Sequence, residues 1–385
     1  MVLHILDEPK FNIFIINQME ECYSGDNLYL ILSEDYPMIK SSTYPKSELI
    51  FMKDLPSIDF ARIDAVIFHS LSIAKAKLLK KIPMNIPIAC SIWGGDFYNF
   101  LPEFSRNIYS CQTKEYLKQT SKWPWLFHIL KEIFYFPVSN NFILWKDVVK
   151  RSELFSTVIP YEKSQVEKYF SLNSKYLPFP IYSLEKVIHT DDHKNTVISK
   201  ENFQKKIFVG NSGHPTNNHL DILNLIKEFD NEKINVYVPL SYGNREYIKH
   251  ICAIGNSYFG KRFHPLLNHL NLQDYSDLMN RMNIFVFNSY RQQGIGTIVQ
   301  AFWSGGKVFL SNNNITSSYY KDQGLNFFSI EDDLSKTDTQ SLFDPLTKDR
   351  IILNRERLLD LYSKEVVNNA IKLFISKLKE HKYNR

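Results

Sequence analysis

The sequence predicts an α/β protein built from two doubly wound domains, and three observations predict it. Strand-like and helix-like apolar runs alternate almost throughout the 385 residues, the pattern of βα units and parallel sheets. The length suits two domains of about 100 to 200 residues each. A polar stretch poor in large apolar residues, SLEKVIHTDDHKNTVISKENFQKK over 183–206, interrupts the alternation near the middle. The expected layout is an N-terminal domain over 1–185, a linker over 186–205, a second domain over 206–350 and a helical segment over 351–385. Two such domains leave a cleft at the carboxyl ends of their sheets, the default place for a ligand. Apolar residues make up 44% and charged residues 23%, with 13 Gly and 16 Pro, which excludes a disordered or fibrous chain.

In the first half, VLHIL (2–6), NLYLIL (27–32), ELIFM (48–52), DAVIFHS (64–70), PIACSIW (87–93) and LFSTVIP (154–160) read as buried strands. SIAKAKLLKKI (72–82) and YEKSQVEKYF (161–170) carry helical spacing between them. Residues 97–150 are less regular and read as a helical, aromatic insertion. Within that insertion SKWPWLFHILKEIFYFP (121–137) sets Trp123, Trp125 and Phe127 between Lys122 and Lys131. From Leu71 to Arg151 twelve Lys or Arg outnumber five Asp or Glu. Basic residues beside Trp and Phe suit an anionic bilayer surface, where each Lys contributes about 1 kcal/mol. An aromatic helix buried between domains would have the same letters.

In the second half the strands are KIFVGN (206–211), NVYVPL (235–240), IFVFNS (284–289), KVFLSN (307–312) and the shorter FFSI (327–330). Helical patterns fall between them at 217–229, 244–255, 272–282 and 294–305, and the end looks helical from Ile351 to His381. The four cysteines, Cys22, Cys90, Cys111 and Cys252, form no C-x-x-C pair, so neither a zinc site nor a redox pair is expected. The start, MVLHILDEPKF, lacks a basic n-region and a cleavage site, and no apolar run reaches the ~18 residues of a spanning helix. A cytoplasmic protein, at most attached to a membrane surface, is the expectation.

Four segments carry chemistry. VGNSGHPTN (209–217) is a strand-to-helix turn with two glycines, and a helix start beside bare backbone N–H groups suits a phosphate. Such a turn also needs no ligand at all, and no Gly-Lys-Ser/Thr makes it a Walker loop. RQQGIGTIVQAFWSGG (291–306) follows a strand and offers a guanidinium and two amides where a helix opens, a combination suited to a diphosphate. Tight helix packing would explain Gly294 and Gly296, but not Arg291, Gln292 and Gln293 together. SIWGGDFYNF (91–100) puts Asp96 at a strand end, where its carboxylate could take a hydroxyl proton or cap the next helix. His69, closing DAVIFHS, is a second possible base or a structural histidine. VPLSYGNREYI (238–248) brings Tyr242, Gly243 and Asn244, able to meet a donor base or sugar or to form a plain capped turn. No D-x-D is present, so no metal ion held in that way is expected, and no cofactor or nucleic-acid partner is expected either.

VGNSGHPTN, VPLSYGNREYI and FNSYRQQGIGT, in this order and spacing, resemble the TDP-N-acetylfucosamine:lipid II N-acetylfucosaminyltransferase family, whose members show V-G-N-S-G, V-P-x-x-Y and R-Q-Q-G-I-G-T. WGGDFY resembles the family's W-G-x-D-x-Y. The likeness covers mainly 205–330. It implies a GT-B glycosyltransferase, with two Rossmann-like domains facing across a cleft. It also implies transfer of a 4-acetamido-4,6-dideoxyhexose from a dTDP donor to a polyprenyl-diphosphate-linked saccharide. The setting would be the cytoplasmic face of the inner membrane, in surface polysaccharide assembly. By this resemblance Gly210, Asn211, Ser212 and Gly213 contact the diphosphate or sugar, and Arg291, Gln292, Gln293, Gly294, Gly296 and Thr297 hold the leaving dTDP. The family often has an acid after V-G-N-S-G, where this chain has His214, so the donor could differ. A metal-free transferase must stabilise the leaving diphosphate with helix N-termini and cations, which Arg291 and the helix at Gly294 supply. Asp96 is the first choice of base, and the 121–137 segment would hold the lipid carrier near the membrane. Three alternatives remain: a transferase using another dTDP- or UDP-sugar, a non-catalytic nucleotide-sugar binder, and a Rossmann oxidoreductase. The last is disfavoured because LDEPKF stands where G-x-G-x-x-G would follow the first strand.

Overall fold

The computed structural model describes residues 1–7, 9–32, 48–51, 58–98, 107–121, 140–170, 174–188, 204–229, 233–337 and 339–383. In chain order the first half holds β1 (Val2–Leu6), α1 (Pro9–Cys22), β2 (Asn27–Ile31), β3 (Glu48–Phe51), β4 (Ala65–His69), α2 (Ile73–Leu78), β5 (Ile88–Ile92) and α3 (Gly95–Tyr98). There follow α4 (Cys111–Thr120), α5 (Asn140–Arg151), β6 (Leu154–Thr157), α6 (Lys163–Phe170), β7 (Lys175–Tyr176) and α7 (Leu184–Val187). Next come β8 (Lys206–Val209), α8 (His219–Lys227), β9 (Asn235–Pro239), α9 (Arg245–Phe259), β10 (Phe263–Leu266), α10 (Leu272–Asn280), β11 (Ile284–Phe287) and α11 (Ile295–Ser304). The chain closes with β12 (Lys307–Leu310), α12 (Ile315–Asp322), β13 (Phe328–Ser329), α13 (Thr339–Leu342), α14 (Lys348–Tyr362) and α15 (Lys364–Tyr383).

Two compact units result. Unit 1 comprises Met1–Pro102, Leu130–Ser183 and Lys364–Arg385; unit 2 comprises Glu103–Ile129 and Leu184–Ser363. Unit 1 is built on a seven-stranded parallel sheet of order β3-β2-β1-β4-β5-β6-β7, unit 2 on a six-stranded parallel sheet of order β10-β9-β8-β11-β12-β13. In each sheet the order reverses beside the first strand, between β1 and β4 and between β8 and β11. Those switch points open a crevice at the strands' carboxyl ends, where open α/β sheets bind ligands. β1, β2, β4 and β5 are buried at every position, as strands covered by helices on both faces must be.

The expected α/β architecture and the strands read from the sequence are present; the two-residue β7 was not read, and three further differences stand out. α1 was not among the helices read from the sequence, because its run FNIFII is as continuous as a buried strand. β10 was missed because Pro265 argues against a strand; β10 is an edge strand, where a missing N–H costs no ladder bond. The third concerns chain path. The described 107–121 part of the insertion belongs to unit 2, and the expected C-terminal segment divides at Ser363. α14 stays in unit 2, where the Arg355 guanidinium covers the Trp303 ring and Nε donates to the Trp303 carbonyl at 2.9 Å. α15 returns to unit 1 and buries Val367, Ile371, Phe374, Ile375 and Leu378 completely against Ile15, Ile16 and Met19 of α1. Of the expected linker, Lys186 and Val187 belong to α7, which packs on α11 and α14; 189–203 lie outside the described residues. Among the described residues no helix is long and apolar enough to cross a membrane.

Candidate active site

The switch point of unit 2 carries the two glycine-bearing loops found in the sequence, one after β8 and one after β11. They are locked together. Gly294 takes φ +67° as it opens α11, and a Cβ there would lie 2.7 Å from Cγ of Asn211, so the second loop packs on the first. Gln293 spans the same junction: Nε2 donates to Asn211 Oδ1 at 3.2 Å and Oε1 accepts from Thr216 Oγ1 at 2.7 Å. Asn217 braces the first loop from inside, accepting the Asn211 N–H at 3.0 Å and donating to the Ser212 carbonyl at 2.9 Å and the His214 carbonyl at 3.2 Å. Asn314 does the same for the second, donating to Ser289 Oγ at 3.0 Å and to the Arg291 carbonyl at 2.9 Å.

The third loop, after β9, joins through a short parallel bridge. Gly213 N–H donates to the Tyr242 carbonyl at 2.7 Å, and Asn244 N–H to the Gly213 carbonyl at 3.1 Å. A Cβ on Gly243, at φ +134°, would stand 2.3 Å from the Gly213 carbonyl carbon, so that position requires glycine. Gly210, at φ +73°, lies against the His219 ring and Gly213 against Ile248. Packing thus accounts for Gly210 and Gly213 whatever binds there. Ser212 and Gln292 are buried, while Asn211, Tyr242, Arg291, Gln293, Gly294, Gly296 and Thr297 are half-buried at the crevice. Thr297 Oγ1 lies 3.3 Å from the Tyr275 hydroxyl. Tyr242 stacks on His269 at 5.9 Å and meets the His214 ring edge-on at 6.0 Å. Desolvation, and then the Arg291 charge, hold His214 below the usual histidine range.

At the carboxyl end of the unit 1 sheet, His69 ends β4 and Asp96 is the second residue of α3, which follows β5. Asp96 is buried, and both of its oxygens hold backbone N–H groups. Its Oδ2 accepts the Leu71 N–H at 2.7 Å and its Oδ1 accepts the Trp93 N–H at 2.7 Å, tying together the turns after β4 and β5. Burial pushes its carboxyl up to about 6. Between His69 and Leu71, Ser70 adopts φ +60°, a strained value for a residue with a side chain. The fully buried Lys75 secures that turn. Its ammonium donates to the His69 carbonyl and to Ser70 Oγ at 2.8 Å and pairs with Asp7 Oδ1 at 2.5 Å, while Asp7 Oδ2 accepts from Ser72 Oγ at 2.5 Å.

The sequence-predicted catalytic and donor residues therefore stand in the turns and helix starts that follow β4 and β5 in unit 1 and β8, β9 and β11 in unit 2. Lys122, Trp123, Trp125, Phe127 and Lys131 lie outside the described residues. Sequence reasoning missed Lys75, whose place in SIAKAKLLKKI reads as an exposed helix lysine, and the bracing Asn217 and Asn314. Asn and Ser near helix starts are too common to single them out.

The fold matches known enzymes along essentially its whole length. A glycosyltransferase from Rickettsia africae ESF-5 superposes with TM-score 0.65 at 11% identity, over 100% of this chain and 99% of that one. Sucrose-phosphate synthase (tll1590) from Thermosynechococcus elongatus gives 0.63 at 10% identity over 98% of each chain. Anabaena Alr3699/HepE, in complex with UDP and glucose, gives 0.60 at 10% identity over 98% of this chain and 99% of that one. Two parallel doubly wound units in this order make the protein an α/β protein of GT-B fold. The model of the 4-alpha-L-fucosyltransferase family, glycosyl transferase group 56, matches residues 161–353, half of the chain, and the protein belongs to that family. It is a glycosyltransferase.

Proposed function

We propose that the protein transfers a 4-acetamido-4,6-dideoxyhexose from a dTDP-sugar to a polyprenyl-diphosphate-linked saccharide, without a metal ion, at the cytoplasmic face of the inner membrane. The carrying observation is the junction of the VGNSG and RQQGIGT loops at the unit 2 switch point, with Arg291 and the amino end of α11 beside it. A fucosyl group and a 4-acetamido-4,6-dideoxyhexose are both 6-deoxyhexoses, so the family supports the sugar class. Arg291 and the first N–H groups of α11 would stabilise the charge that grows on the departing diphosphate. Gln293 and Asn211, bonded to each other, would fix its orientation. In unit 1 both oxygens of Asp96 already hold backbone N–H groups. We therefore assign the acceptor proton to His69 and leave Asp96 to hold the turn that follows it.

Calorimetry of dTDP, UDP, GDP, ADP and NAD against the metal-free protein tests the donor. Preference for dTDP is expected, and Arg291→Ala should weaken it by about 1.5 to 3 kcal/mol, the range of a charge-assisted hydrogen bond. The UDP complex of Anabaena HepE makes UDP the main competitor. UDP or GDP preference would discard the dTDP donor, and NAD alone the whole reading. For the membrane surface, Trp123→Ala with Trp125→Ala should reduce co-sedimentation with anionic vesicles; full retention would remove that segment from the membrane contact.

A further inference from the structure

We propose that His4 is a positioning residue for His69: with Asn27 it holds the His69 imidazole in the tautomer that carries its proton on Nε2, leaving Nδ1 as the bare nitrogen. This rests on the reading of His69 as the proton acceptor of the transfer.

A buried chain of hydrogen bonds reaches His69 from the amino end of β2. Asn27, the first residue of β2, gives both amide protons away, to Glu20 Oε1 at 3.0 Å and to the Tyr23 carbonyl at 2.7 Å. Its Oδ1 is thereby the atom that faces His4 Nε2, at 3.1 Å, and an amide oxygen only accepts. His4 Nε2 must carry a hydrogen. His4 is fully buried in the middle of β1, and burial brings its pKa down to about 4, so the ring is neutral and Nδ1 keeps a lone pair. That lone pair meets His69 Nε2 at 2.8 Å, so His69 Nε2 is the donor. A neutral imidazole has one N–H, and here it is spent on His4. The opposite tautomer of His69 would set two lone pairs against each other at 2.8 Å.

The surroundings hold the chain in this state. The Tyr29 ring stacks on His4 at 5.1 Å, and its hydroxyl donates to the same Glu20 oxygen at 2.9 Å, which fixes the His4 plane. Around His69 stand His4 on β1, Phe179 at 5.6 Å, Trp93 edge-on at 6.4 Å, and on α2 the Lys75 ammonium, which is paired with Asp7. Asp96 is turned to the Leu71 and Trp93 N–H groups. Burial, then His4 and Lys75, keep His69 neutral at rest. In the transfer, the acceptor oxygen bonds to the anomeric carbon as the sugar–phosphate bond breaks. That bond's electron pair leaves on the diphosphate, and the hydroxyl proton goes to His69 Nδ1. The imidazolium formed still donates through Nε2 to His4, so the hydrogen bond survives the charge change.

Long-range ¹H–¹⁵N correlation on the histidine-labelled full-length protein at pH 7 tests this directly. Expected is a pyrrole-type Nε2 and a pyridine-type Nδ1 for His69; the reverse pattern overturns the proposal. His4→Phe should scramble the tautomer and lower turnover of a dTDP-linked 4-acetamido sugar about tenfold with unchanged dTDP affinity. His4→Gln, which restores an acceptor, should recover most of it. Equal turnover in His4→Phe despite a changed tautomer overturns the positioning role. Unchanged turnover in His69→Gln, with the Nε2–H pattern intact in the parent, sinks the proton-acceptor reading and leaves the tautomer standing.

Discussion

Among the titratable groups buried in this protein are three histidines, His4, His69 and His219, and the carboxyl of Asp96. Burial lowers His4 to about 4 and His219 to about 3, and takes His69 well below its ordinary value. Each binds a proton more readily in the unfolded chain, so the stability it contributes is full above about 6.5 and is lost as pH falls. Asp96 works in the opposite sense: raised to about 6, it favours the folded state below its ordinary value and loses that contribution as pH rises through 6. Three histidines outweigh one carboxyl. At pH 5.5 His4 and His219 each cost about 1 kcal/mol relative to pH 7, Asp96 returns about as much as one of them, and His69 acts in the same direction as the other histidines. The melting temperature should therefore drop by at least roughly 2 to 4 °C between pH 7 and 5.5, at about 2 to 4 °C per kcal/mol for units of this size. Equal or higher melting at pH 5.5 would contradict the burial of these rings. None of this was legible in VLHIL or DAVIFHS, where a histidine in an apolar run looks the same whether it is bonded or not.

Elements meet here through side chains far apart in sequence. α4 begins at Cys111, and its amino end is capped from another helix. Asp221 of α8 accepts the Gln112 N–H at 3.0 Å, the Thr113 N–H at 3.2 Å and the Ser110 hydroxyl, while Asn218 accepts the Ser110 N–H at 2.9 Å. A carboxylate at a helix start satisfies orphan N–H groups and complements the helix dipole. Asp221→Ala should cost about 1 to 2 kcal/mol, the range for a lost cap. Hydrogen exchange over 111–120 would show it as lost protection; unchanged protection would mean that α4 holds its start without Asp221. The glycine loops differ in this respect. Their strand–turn–helix placement was readable from the letters, but that Gly243 serves Gly213 and Gly294 serves Asn211 appears only where the loops touch.

Over the whole molecule, the chain crosses between units more often than its composition suggests. α15 completes the core of unit 1 from the far end of the sequence: Phe374 is fully buried, 4.6 Å from the Phe179 ring, and Lys379 and Lys382 pair with Asp26 and Asp64 at 2.5 and 2.7 Å. Phe374→Ala should cost about 3 to 5 kcal/mol, as emptying a packed aromatic site does. Scanning calorimetry should show the unit 1 transition moved down and dTDP binding by unit 2 retained below it. An unmoved transition would place α15 outside the core.

By itself the sequence determined two α/β sheets, most of their strands and the loops that carry the donor motifs. Apolar periodicity and turn residues are local, and burying them allows few layouts. The tertiary structure alone decided which unit the 107–121 stretch and α15 join, why Lys75 and His4 are inside, and what the glycines pack against. Those outcomes rest on hydrogen bonds and ion pairs between residues up to 353 positions apart, as for Lys379 and Asp26, and single polar contacts leave no periodic trace in a chain.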